Sequence, residues 1–372
     1  MQCVPITGRP LTRRLAFLLA ALAIVVALAA TLYLGPRFVP GLGRLAQPPE
    51  RQLPSLALAT GWIGADSLAA GALSGHPTLV LVWSDTDPRS IEALEVAEGW
   101  HRAFTPLGCR IVAVHSPDFA FGSDRAVPTR IAELLGLTLP IALDATLQLQ
   151  GELGGATDGP HVLVADGSGR VVFDTVGALA AGEMALRELY GPLPKGSALP
   201  GLIARTTPVS VQTVYLGAGR VRGGPLAHLS PGTERTLTAE FRYQEQGAVG
   251  IPYAVGRWRA GTEGATSLRA GAAEFIAIRY SAHRAAVVVS PPAGGTGRLW
   301  LLLDERWPRA EECGADVAFD GHGGAYIDVT EPRLYWLEQG AGERVLKLSP
   351  ATPGITVHAF VFEDAHGNDR KE

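Results

Sequence analysis

Two side chains suited to acid–base or nucleophilic chemistry, Asp87 and Ser90, lie three residues apart where a predicted strand meets a predicted helix. The strand is the apolar run Thr78–Val82, and the helix is predicted from about Pro88 to Phe104. Asp87 directly precedes a proline suited to the first helical turn, so its carboxylate is expected to cap the helix and to gain about 0.3–1 kcal/mol from the helix dipole. The same dipole keeps the carboxylate ionised, which makes Asp87 a poor general acid.

Ser90 becomes a nucleophile only if a base takes its proton. The local histidines that could reach it in space are His115 and His161. His115 ends a predicted buried strand, Cys109–His115, where a histidine with a structural role is the commoner case. We therefore predict a helix start here, with no catalytic residue assigned.

The cysteine content excludes two kinds of site. The chain has 3 cysteines, Cys3, Cys109 and Cys313, and none lies at short spacing from another. Neither a Cys-x-x-Cys redox motif nor a cysteine-based zinc site is available. Cys109 and Cys313 are expected to be inert buried thiols, and a disulfide between the two domains is the alternative in an oxidising compartment.

The N-terminal segment Leu15–Leu34 contains 20 residues without a charge. Three arginines precede it: Arg9, Arg13 and Arg14. About 20 apolar residues cross a bilayer, and flanking arginines stay in the cytoplasm. We predict residues 1–14 in the cytoplasm, 15–34 as a single anchor in a bacterial inner membrane, and the remainder in the periplasm. The alternative is a signal peptide cleaved near Ala27-Leu28-Ala29.

Length and composition indicate a folded chain with two domains. The chain has 372 residues, of which 47% are hydrophobic and 18% charged, and a domain usually takes about 150 residues. Acidic residues outnumber basic ones by 36 to 32, and no Lys/Arg cluster follows the anchor. Nucleic acid is therefore not expected as a partner, and no cofactor is predicted.

The sequence pattern changes twice after the anchor. Residues 35–56 are rich in proline and predict a semi-extended linker. Residues 57–195 predict an α/β domain, and residues 205–365 predict an all-β sandwich or jelly roll with Gly and Pro turns. The further α/β elements are strand Cys109–His115, helix Val127–Leu135, strand Pro140–Leu143, hairpin strands Val162–Ala165 and Arg170–Asp174, and helix Gly182–Tyr190. The predicted strands of the second domain are Leu237–Tyr243, Phe275–Tyr280, Ala285–Val289, Leu299–Leu303, Tyr326–Val329, Arg333–Leu337, Arg344–Leu348 and Ile355–Phe362.

Fragments spread over both domains resemble one family. In the first domain they are Val114–Phe121 (VHSPDFAF), Pro140–Asp144 (PIALD) and Gly159–Asp166 (GPHVLVAD). In the second domain they are Tyr215–Gly217, Gly256–Trp258, Tyr280–Ala282, Gly314–Val317, Arg333–Tyr335 and His358–Phe362. In this order, the chain from about Trp62 to Phe362 resembles the periplasmic part of DipZ-type thiol–disulfide oxidoreductases, a redoxin or thioredoxin-like domain followed by a β domain like a carbohydrate-binding module.

The resemblance implies that Asp87 and Ser90 occupy the positions of the family's Cys-x-x-Cys pair. A carboxylate and a hydroxyl cannot carry out thiol–disulfide exchange. The resemblance also implies that Pro160, after Gly159, forms a cis-proline loop facing these positions. Together with Trp83, that loop would line a groove for an extended polypeptide.

The leading hypothesis is a membrane-anchored extracytoplasmic protein of thioredoxin fold without redox cysteines. Its expected role is binding or scaffolding in the cell envelope, with an extended polypeptide or an envelope protein as partner. The first alternative is a thiol–disulfide oxidoreductase or redoxin acting in redox homeostasis or cytochrome c biogenesis. The second is an envelope glycan-binding protein, which rests on analogy of fold.

Two sets of side chains in the β domain bear on that second alternative. Aromatic residues could stack on a sugar, although on alternating strands they equally form a core; they are Trp258, Tyr280, Trp300, Trp307, Tyr326, Tyr335 and Trp336. Four aspartates could supply oxygen ligands for calcium; they are Asp304, Asp316, Asp320 and Asp328. Their spacing fits no calcium-loop motif, so no metal is predicted.

Overall fold

The computed structural model describes residues 51–64, 72–155, 158–190, 201–204, 210–217, 234–237 and 249–364. Their strands form two sheets, one of six strands within residues 51–190 and one of ten strands within residues 211–363, of which nine follow one path and the tenth pairs at its side. We call the part up to residue 204 the α/β region and the part from residue 210 the β region. The α/β fold and the antiparallel β-sheet that the sequence predicts are thus confirmed.

The α/β region alternates strands and helices. Its elements are β1 (Gly61–Ile63), β2 (Thr78–Trp83), α1 (Pro88–Phe104), β3 (Arg110–His115), α2 (Ala126–Leu135), β4 (Ile141–Leu143), α3 (Gln148–Glu152), β5 (His161–Ala165), β6 (Val171–Val176) and α4 (Leu179–Glu188). The sheet order is β1-β4-β3-β2-β5-β6, with β2 parallel to β3 and antiparallel to β5. All six residues of β2 are buried, and five of them are apolar. This composition is typical of a central strand that is covered on both faces.

Alternate residues of β2 pack on opposite faces of the sheet. Leu79, Leu81 and Trp83 pack in the cluster that includes the buried face of α1. Val80 and Val82 pack in a second cluster with residues of α3. Because β5 runs against β2, the end of β2, the end of β3 and the start of β5 meet at one edge of the sheet. The start of α1 lies at that edge as well.

The strands of the β region are antiparallel and several are long. They are β7 (Val211–Tyr215), β8 (Glu234–Leu237), β9 (Pro252–Ala260), β10 (Ala265–Ser267), β11 (Phe275–Ser290), β12 (Gly297–Leu303), β13 (Ala318–Phe319), β14 (Ala325–Val329), β15 (Arg333–Pro350) and β16 (Thr356–Glu363). The order is β13-β14-β12-β15-β11-β16-β10-β9-β8, and β7 pairs with β16. Buried residues from most of these strands form a single core cluster.

The β region differs from the predicted sandwich in its connectivity. Hydrogen bonds link the described strands into one sheet, whereas a sandwich has two. Two pairs of predicted strands are each one long strand, β11 and β15, whose pairing shifts register near Ala282 and Ala285. Such irregularities keep the backbone ladder while re-aiming side chains. The glycines and polar residues at this point therefore look like turns in the sequence.

Aromatic packing joins the two regions. Phe119, in the segment after β3, is stacked on Phe121 with ring centroids 5.5 Å apart. From the β region, His358 lies 4.9 Å from the Phe119 ring and Tyr215 lies 6.0 Å from it. The cluster also contains buried residues of β11 and β16. The end of the fragment Val114–Phe121 is thus a docking contact for the β region.

Polar contacts accompany this packing. The backbone N–H of Ala120 donates to both carboxylate oxygens of Glu263, at 3.0 and 3.2 Å. Arg130 of α2 forms an ion pair with Glu331 of the β region. Apolar burial and hydrogen bonds therefore hold the same interface.

Two predictions on the first 60 residues have different outcomes. The predicted anchor Leu15–Leu34 lies outside the described residues, and no helix among those described is long and apolar enough to cross a bilayer. The predicted linker extends too far, because its last residues already belong to the α/β region. The N–H of Leu53 donates to Gly169 at 2.8 Å, and Leu56 is buried beside Val80. Burial of Leu56 and partial burial of Leu53 explain why this stretch packs on the α/β region.

Candidate functional site

The candidate site lies at the sheet edge where α1 begins. Asp87 is the N-cap of α1 and has an extended backbone, with φ −105° and ψ 114°. Pro88 follows in the first turn, as predicted, because it has no N–H to leave unpaired. The structure therefore places Asp87 and Ser90 together at the helix start.

The carboxylate of Asp87 accepts three hydrogen bonds from neighbouring groups. One comes from the backbone N–H of Arg89 at 3.2 Å and one from its Nε at 3.0 Å. The third comes from the hydroxyl of Ser90 at 2.9 Å. Ser90 is only 1% exposed. Its proton is thus directed at a carboxylate inside the protein, and the pair is arranged as a helix cap rather than as a nucleophile with its base.

The two histidines considered as bases contact other residues. Nε2 of His115 donates to Asp85 at 3.1 Å, and both side chains are buried. The His115 ring also packs on Trp83, with centroids 4.5 Å apart. Nε2 of His161 donates to Asp174 at 2.5 Å. Among the described hydrogen bonds, neither histidine contacts Ser90, which fits the structural role expected for His115.

The loop before β5 differs from the prediction in one respect. No cis peptide bond occurs among the described residues, so the Gly159–Pro160 bond is trans. Gly159 has φ of 121°, a left-handed value that turns the chain here without a cis bond. The carbonyl of Pro160 accepts from the N–H of Gly177 at 2.8 Å, so it already has a partner within the fold.

Arg89 connects the helix start to this loop. Its Nη2 lies 2.8 Å from a carboxylate oxygen of Asp158, while Nε contacts Asp87. A Cβ atom placed on Gly159 would lie 3.2 Å from Cζ of Arg89, so the guanidinium packs against the glycine backbone. The ion pair spans 69 residues of sequence, and nothing in the local pattern indicated it.

Both regions line one cleft in front of Asp87. The α/β region contributes Trp83, Ser116 and the Arg89–Asp158 ion pair, and the β region contributes Thr213 and Tyr215 of β7. The cavity is about 30 Å³, enough for one or two water molecules. A ligand larger than that must therefore lie along the opening, or the opening must widen.

Two polar atoms of the lining residues have no hydrogen-bond partner among the described residues. They are Nε1 of Trp83 and Oγ of Ser116, and both are buried. Nearby, the carboxylate of Asp118 accepts from the hydroxyls of Ser84 at 2.9 Å and Thr86 at 3.1 Å. The indole N–H is a donor that lacks an acceptor, which is uncommon for a buried group. A ligand oxygen at this position would supply one.

The described thiols are not arranged for exchange. Cys109 and Cys313 are both free and buried, so the predicted alternative of a disulfide between them is wrong. Burial raises the pKa of each thiol to about 11. Cys109 lies in the core of the α/β region and Cys313 beside Glu338 in the β region. Neither lines the cleft in front of Asp87.

The aromatic residues of the β region occupy three kinds of position: the core, the surface and the interface. Trp258, Tyr280 and Tyr335 belong to the core. Trp300 contacts both Trp307 and Tyr326 at the surface, where Arg298 lies 3.6 Å from the centroid of the Tyr326 ring. Trp336 packs on Arg284 beside the interface. Only the surface group remains able to meet a ligand.

The four aspartates considered for calcium have protein partners. Asp304 pairs with Arg344, Asp316 with Arg333, and Asp328 with Arg298. Asp320 accepts from the backbone N–H groups of His322 and Gly324, each within 2.8 Å. Within the described part of the chain, no cluster of three or more acidic, histidine or cysteine residues could hold a metal ion.

Comparisons with known proteins agree with the sequence fragments. A family model described as "Thioredoxin like C-terminal domain" matches residues 212–362. Protein DipZ of Mycobacterium bovis and Protein DipZ of Mycobacterium tuberculosis are each 27% identical to this chain over 261 residues. The resemblance to DipZ-type thioredoxin-like proteins is confirmed. The match covers 68% of this chain but only 36% of either DipZ protein.

Two solved structures are similar to part of this chain. The solution structure of a thioredoxin-like protein in the oxidised form is 20% identical, with a TM-score of 0.34, and covers 37% of this chain and 97% of its own. The crystal structure titled as a putative thiol:disulfide interchange protein DsbE from Chlorobium tepidum is 14% identical, with a TM-score of 0.33. It covers 39% of this chain and 100% of its own.

Proposed function

We propose that this protein binds a polypeptide in the bacterial envelope and does not exchange disulfides. The observation that carries the proposal is the closed hydrogen-bond set of Asp87. Its carboxylate accepts from Arg89 and from the hydroxyl of Ser90 at the positions where the family resemblance expects two cysteines. Exchange requires a thiolate to attack and a second sulfur to resolve the mixed disulfide. Neither atom is present at this helix start.

The remaining described cysteines cannot replace that pair. With a pKa of about 11, roughly one thiol in ten thousand is ionised at pH 7. Both sulfurs are also buried, so a client disulfide has no approach to them. These two properties argue against the alternative of an oxidoreductase that uses other cysteines.

The cleft retains features of a binding site. Unpartnered donors line it, and β7 supplies a second wall through Thr213 and Tyr215. Binding through these side chains differs from the backbone pairing expected of a cis-proline loop, since the carbonyl of Pro160 is engaged by Gly177. The ligand that this arrangement favours is an extended segment whose oxygens face Trp83 and Ser116. Location in the periplasm, through an anchor at Leu15–Leu34, is part of the same proposal.

Reduction of insulin by the purified full chain tests the loss of exchange. The parent protein should give no turnover, and the Asp87→Cys/Ser90→Cys double variant should gain it. The Asp87→Ala/Ser90→Ala variant is the control that changes the same sites without sulfur. Turnover by the parent would overturn the proposal.

Binding is tested separately with an unfolded protein that has no free thiol. Reduced, carbamidomethylated ribonuclease A, carrying a fluorescent label, should bind the full chain in an anisotropy titration. Trp83→Phe, which removes the indole N–H and keeps an aromatic ring, should weaken that binding at least threefold. The exposed Trp307 provides the matched control, and Trp307→Phe should leave the affinity unchanged. Absence of binding to the parent would refute the polypeptide-binding role.

A glycan is the second candidate ligand, because three aromatic rings form a surface cluster. Trp307 is 45% exposed and contacts Trp300, which contacts Tyr326 in turn. Exposed aromatic rings can stack on sugars, and the Arg298–Asp328 pair beside them offers hydrogen bonds. Affinity electrophoresis of the full chain through gels containing soluble peptidoglycan fragments should then show retardation that Trp307→Ala abolishes. Equal mobility of parent and variant in every gel would remove this candidate.

A further inference from the structure

The guanidinium of Arg89 lies across the entrance of the cleft. On one side it contacts Asp87 through Nε at 3.0 Å, and on the other it contacts Asp158 through Nη2 at 2.8 Å. It also packs on the backbone of Gly159, where an added Cβ atom would lie 3.2 Å from its Cζ. A single cation thus connects the helix start to the loop opposite and narrows the opening between them.

The two carboxylates that hold Arg89 differ in accessibility. The side chain of Asp87 is 10% exposed and accepts two further hydrogen bonds, so it is fixed. The side chain of Asp158 is 66% exposed, and it can turn into water at little cost in solvation. Of the two contacts, the one between Arg89 and Asp158 is therefore the exchangeable one.

Two residues that line the cleft each carry a buried polar atom without a hydrogen-bond partner among the described residues. Nε1 of Trp83 donates only, and neither it nor Oγ of Ser116 has a partner, although both residues are 2% exposed. Burial without a partner is unfavourable, and a ligand oxygen would relieve it. Entry of such a ligand requires the opening to widen, which the loss of the Arg89–Asp158 contact would allow.

We propose that the cleft recognises a polypeptide segment bearing a carboxylate, and that this carboxylate replaces Asp158 on Arg89. A guanidinium binds a carboxylate through two parallel hydrogen bonds, so the exchange preserves the charge pairing of Arg89. The ligand then gains the contacts to Trp83 and Ser116 that Asp158 does not make.

Asp118, held by Ser84 and Thr86, carries a further negative charge in the lining. The ligand carboxylate is therefore expected at Arg89 and not deeper. The inference rests on the proposed polypeptide binding and names its ligand class.

Three labelled peptides that differ at one position provide the test. Each has the sequence acetyl-Val-Gly-Thr-Xaa-Thr-Gly-Val-amide, where Xaa is Glu, Gln or Lys. By anisotropy with the full chain, the Glu peptide should bind at least tenfold more tightly than the Gln or Lys peptide. Asp158→Asn should tighten the Glu peptide at least threefold by removing the competing carboxylate. Arg89→Gln should abolish the preference for Glu over Gln.

Controls separate a site effect from a change of overall charge. Glu343→Gln breaks an exposed ion pair with Arg279 on the β region, and should leave all three affinities unchanged. The indole ¹⁵N–H signal of Trp83, assigned with Trp83→Phe, should shift when the Glu peptide binds. A signal that stays in place would overturn the assignment of the ligand to this cleft even if the peptide bound.

The remaining outcomes distinguish this inference from the broader proposal. Equal affinity for the three peptides, or a preference for Lys, overturns the role of Arg89 while polypeptide binding stands. Binding of unfolded ribonuclease A without binding of any peptide also overturns the carboxylate inference alone. If neither the peptides nor the unfolded protein bind, both proposals fail.

Discussion

The hydroxyl of Ser90 donates a 2.9 Å hydrogen bond to the carboxylate of Asp87, three residues earlier at the start of α1. Each group satisfies the other inside the protein, and Arg89 completes the set. In a redox protein the start of such a helix lowers the pKa of a cysteine thiol. Here the same position holds a buried carboxylate that caps the helix. The pair therefore makes a stability contribution that can be measured.

Replacing Asp87 should destabilise the fold. Asp87→Ala removes the cap of α1 and leaves the buried hydroxyl of Ser90 without its acceptor, so we expect a loss of about 2–3 kcal/mol in the free energy of unfolding. Asp87→Asn keeps an acceptor oxygen and should cost about 1 kcal/mol. Urea denaturation followed by circular dichroism measures both changes.

A matched control is available at the next helix. Asp124 accepts from the N–H of Ala126 near the start of α2, but it is exposed and supports no buried hydroxyl. Asp124→Ala should therefore cost about 1 kcal/mol or less. Equal costs for Asp87→Ala and Asp124→Ala would contradict the account of the buried pair.

The buried thiols should be unreactive in the folded protein. Burial raises the pKa of Cys109 and of Cys313 to about 11, and neither sulfur is bonded to another. In a Cys3→Ser background, Ellman's reagent should detect no thiol at pH 7 in buffer and two in 6 M guanidinium chloride. Detection of fewer than two after unfolding without reductant would show that a disulfide is present.

The local signals in the sequence locate the part of the site at the start of α1, which contains Asp87 and Ser90. Helix α1 begins and ends where the sequence predicts, because Asp87, Pro88 and the apolar spacing act on the same stretch of backbone. Strands β11 and β15 are each predicted as two, because a register shift inside a long strand has the same glycine and polar signals as a turn. The residue pattern of a segment predicts the conformation of that segment. It does not predict which distant strand the segment pairs with or in which register.

The other part of the site, the cleft in front of Asp87, depends on contacts between segments that are distant in sequence. Arg89 meets Asp158 across 69 residues, and Tyr215 reaches the cleft from the β region. The family fragment Val114–Phe121 indicated where a strand ends. It did not indicate that Phe119 packs on His358 of β16 and so docks the β region. The trans bond at Pro160 differs from the family expectation because Gly159 makes the turn by its positive φ. Only the assembled fold could show these relationships.

Stability should fall as pH rises through neutrality because of Glu338. Its side chain is buried, Tyr280 donates to Oε2 at 2.9 Å, and Oε1 has no partner. Burial, the largest cause, raises the pKa of Glu338 to about 7. The folded state therefore holds a proton that the unfolded chain releases above its ordinary pKa near 4.5. The favourable contribution is complete below that value and is lost as pH rises through 7.

Glu338→Gln tests this pH dependence. The unfolding free energy of the parent relative to Glu338→Gln should fall by about 1–3 kcal/mol between pH 5 and pH 8, because the other titrating groups are common to both proteins. Glu343 is an exposed carboxylate on the same strand. Glu343→Gln should leave the pH profile as in the parent. A difference between the parent and Glu338→Gln that stays constant from pH 5 to pH 8 would contradict a protonated Glu338.

The interface between the two regions should depend on Phe119 more than on its ion pairs. Phe119 is 2% exposed and packs on Phe121, Tyr215 and His358. Removing such a ring costs about 3–5 kcal/mol, whereas an exposed ion pair such as Arg130–Glu331 contributes about 0–1 kcal/mol.

In scanning calorimetry the parent should unfold in one transition, and Phe119→Ala should divide it into two, one for each region. Arg130→Gln should keep the single transition, and so should Phe319→Ala, which removes an exposed ring from the β region. A single transition of unchanged midpoint in Phe119→Ala would show that the regions are held together elsewhere, because loss of the central ring would then leave their coupling intact.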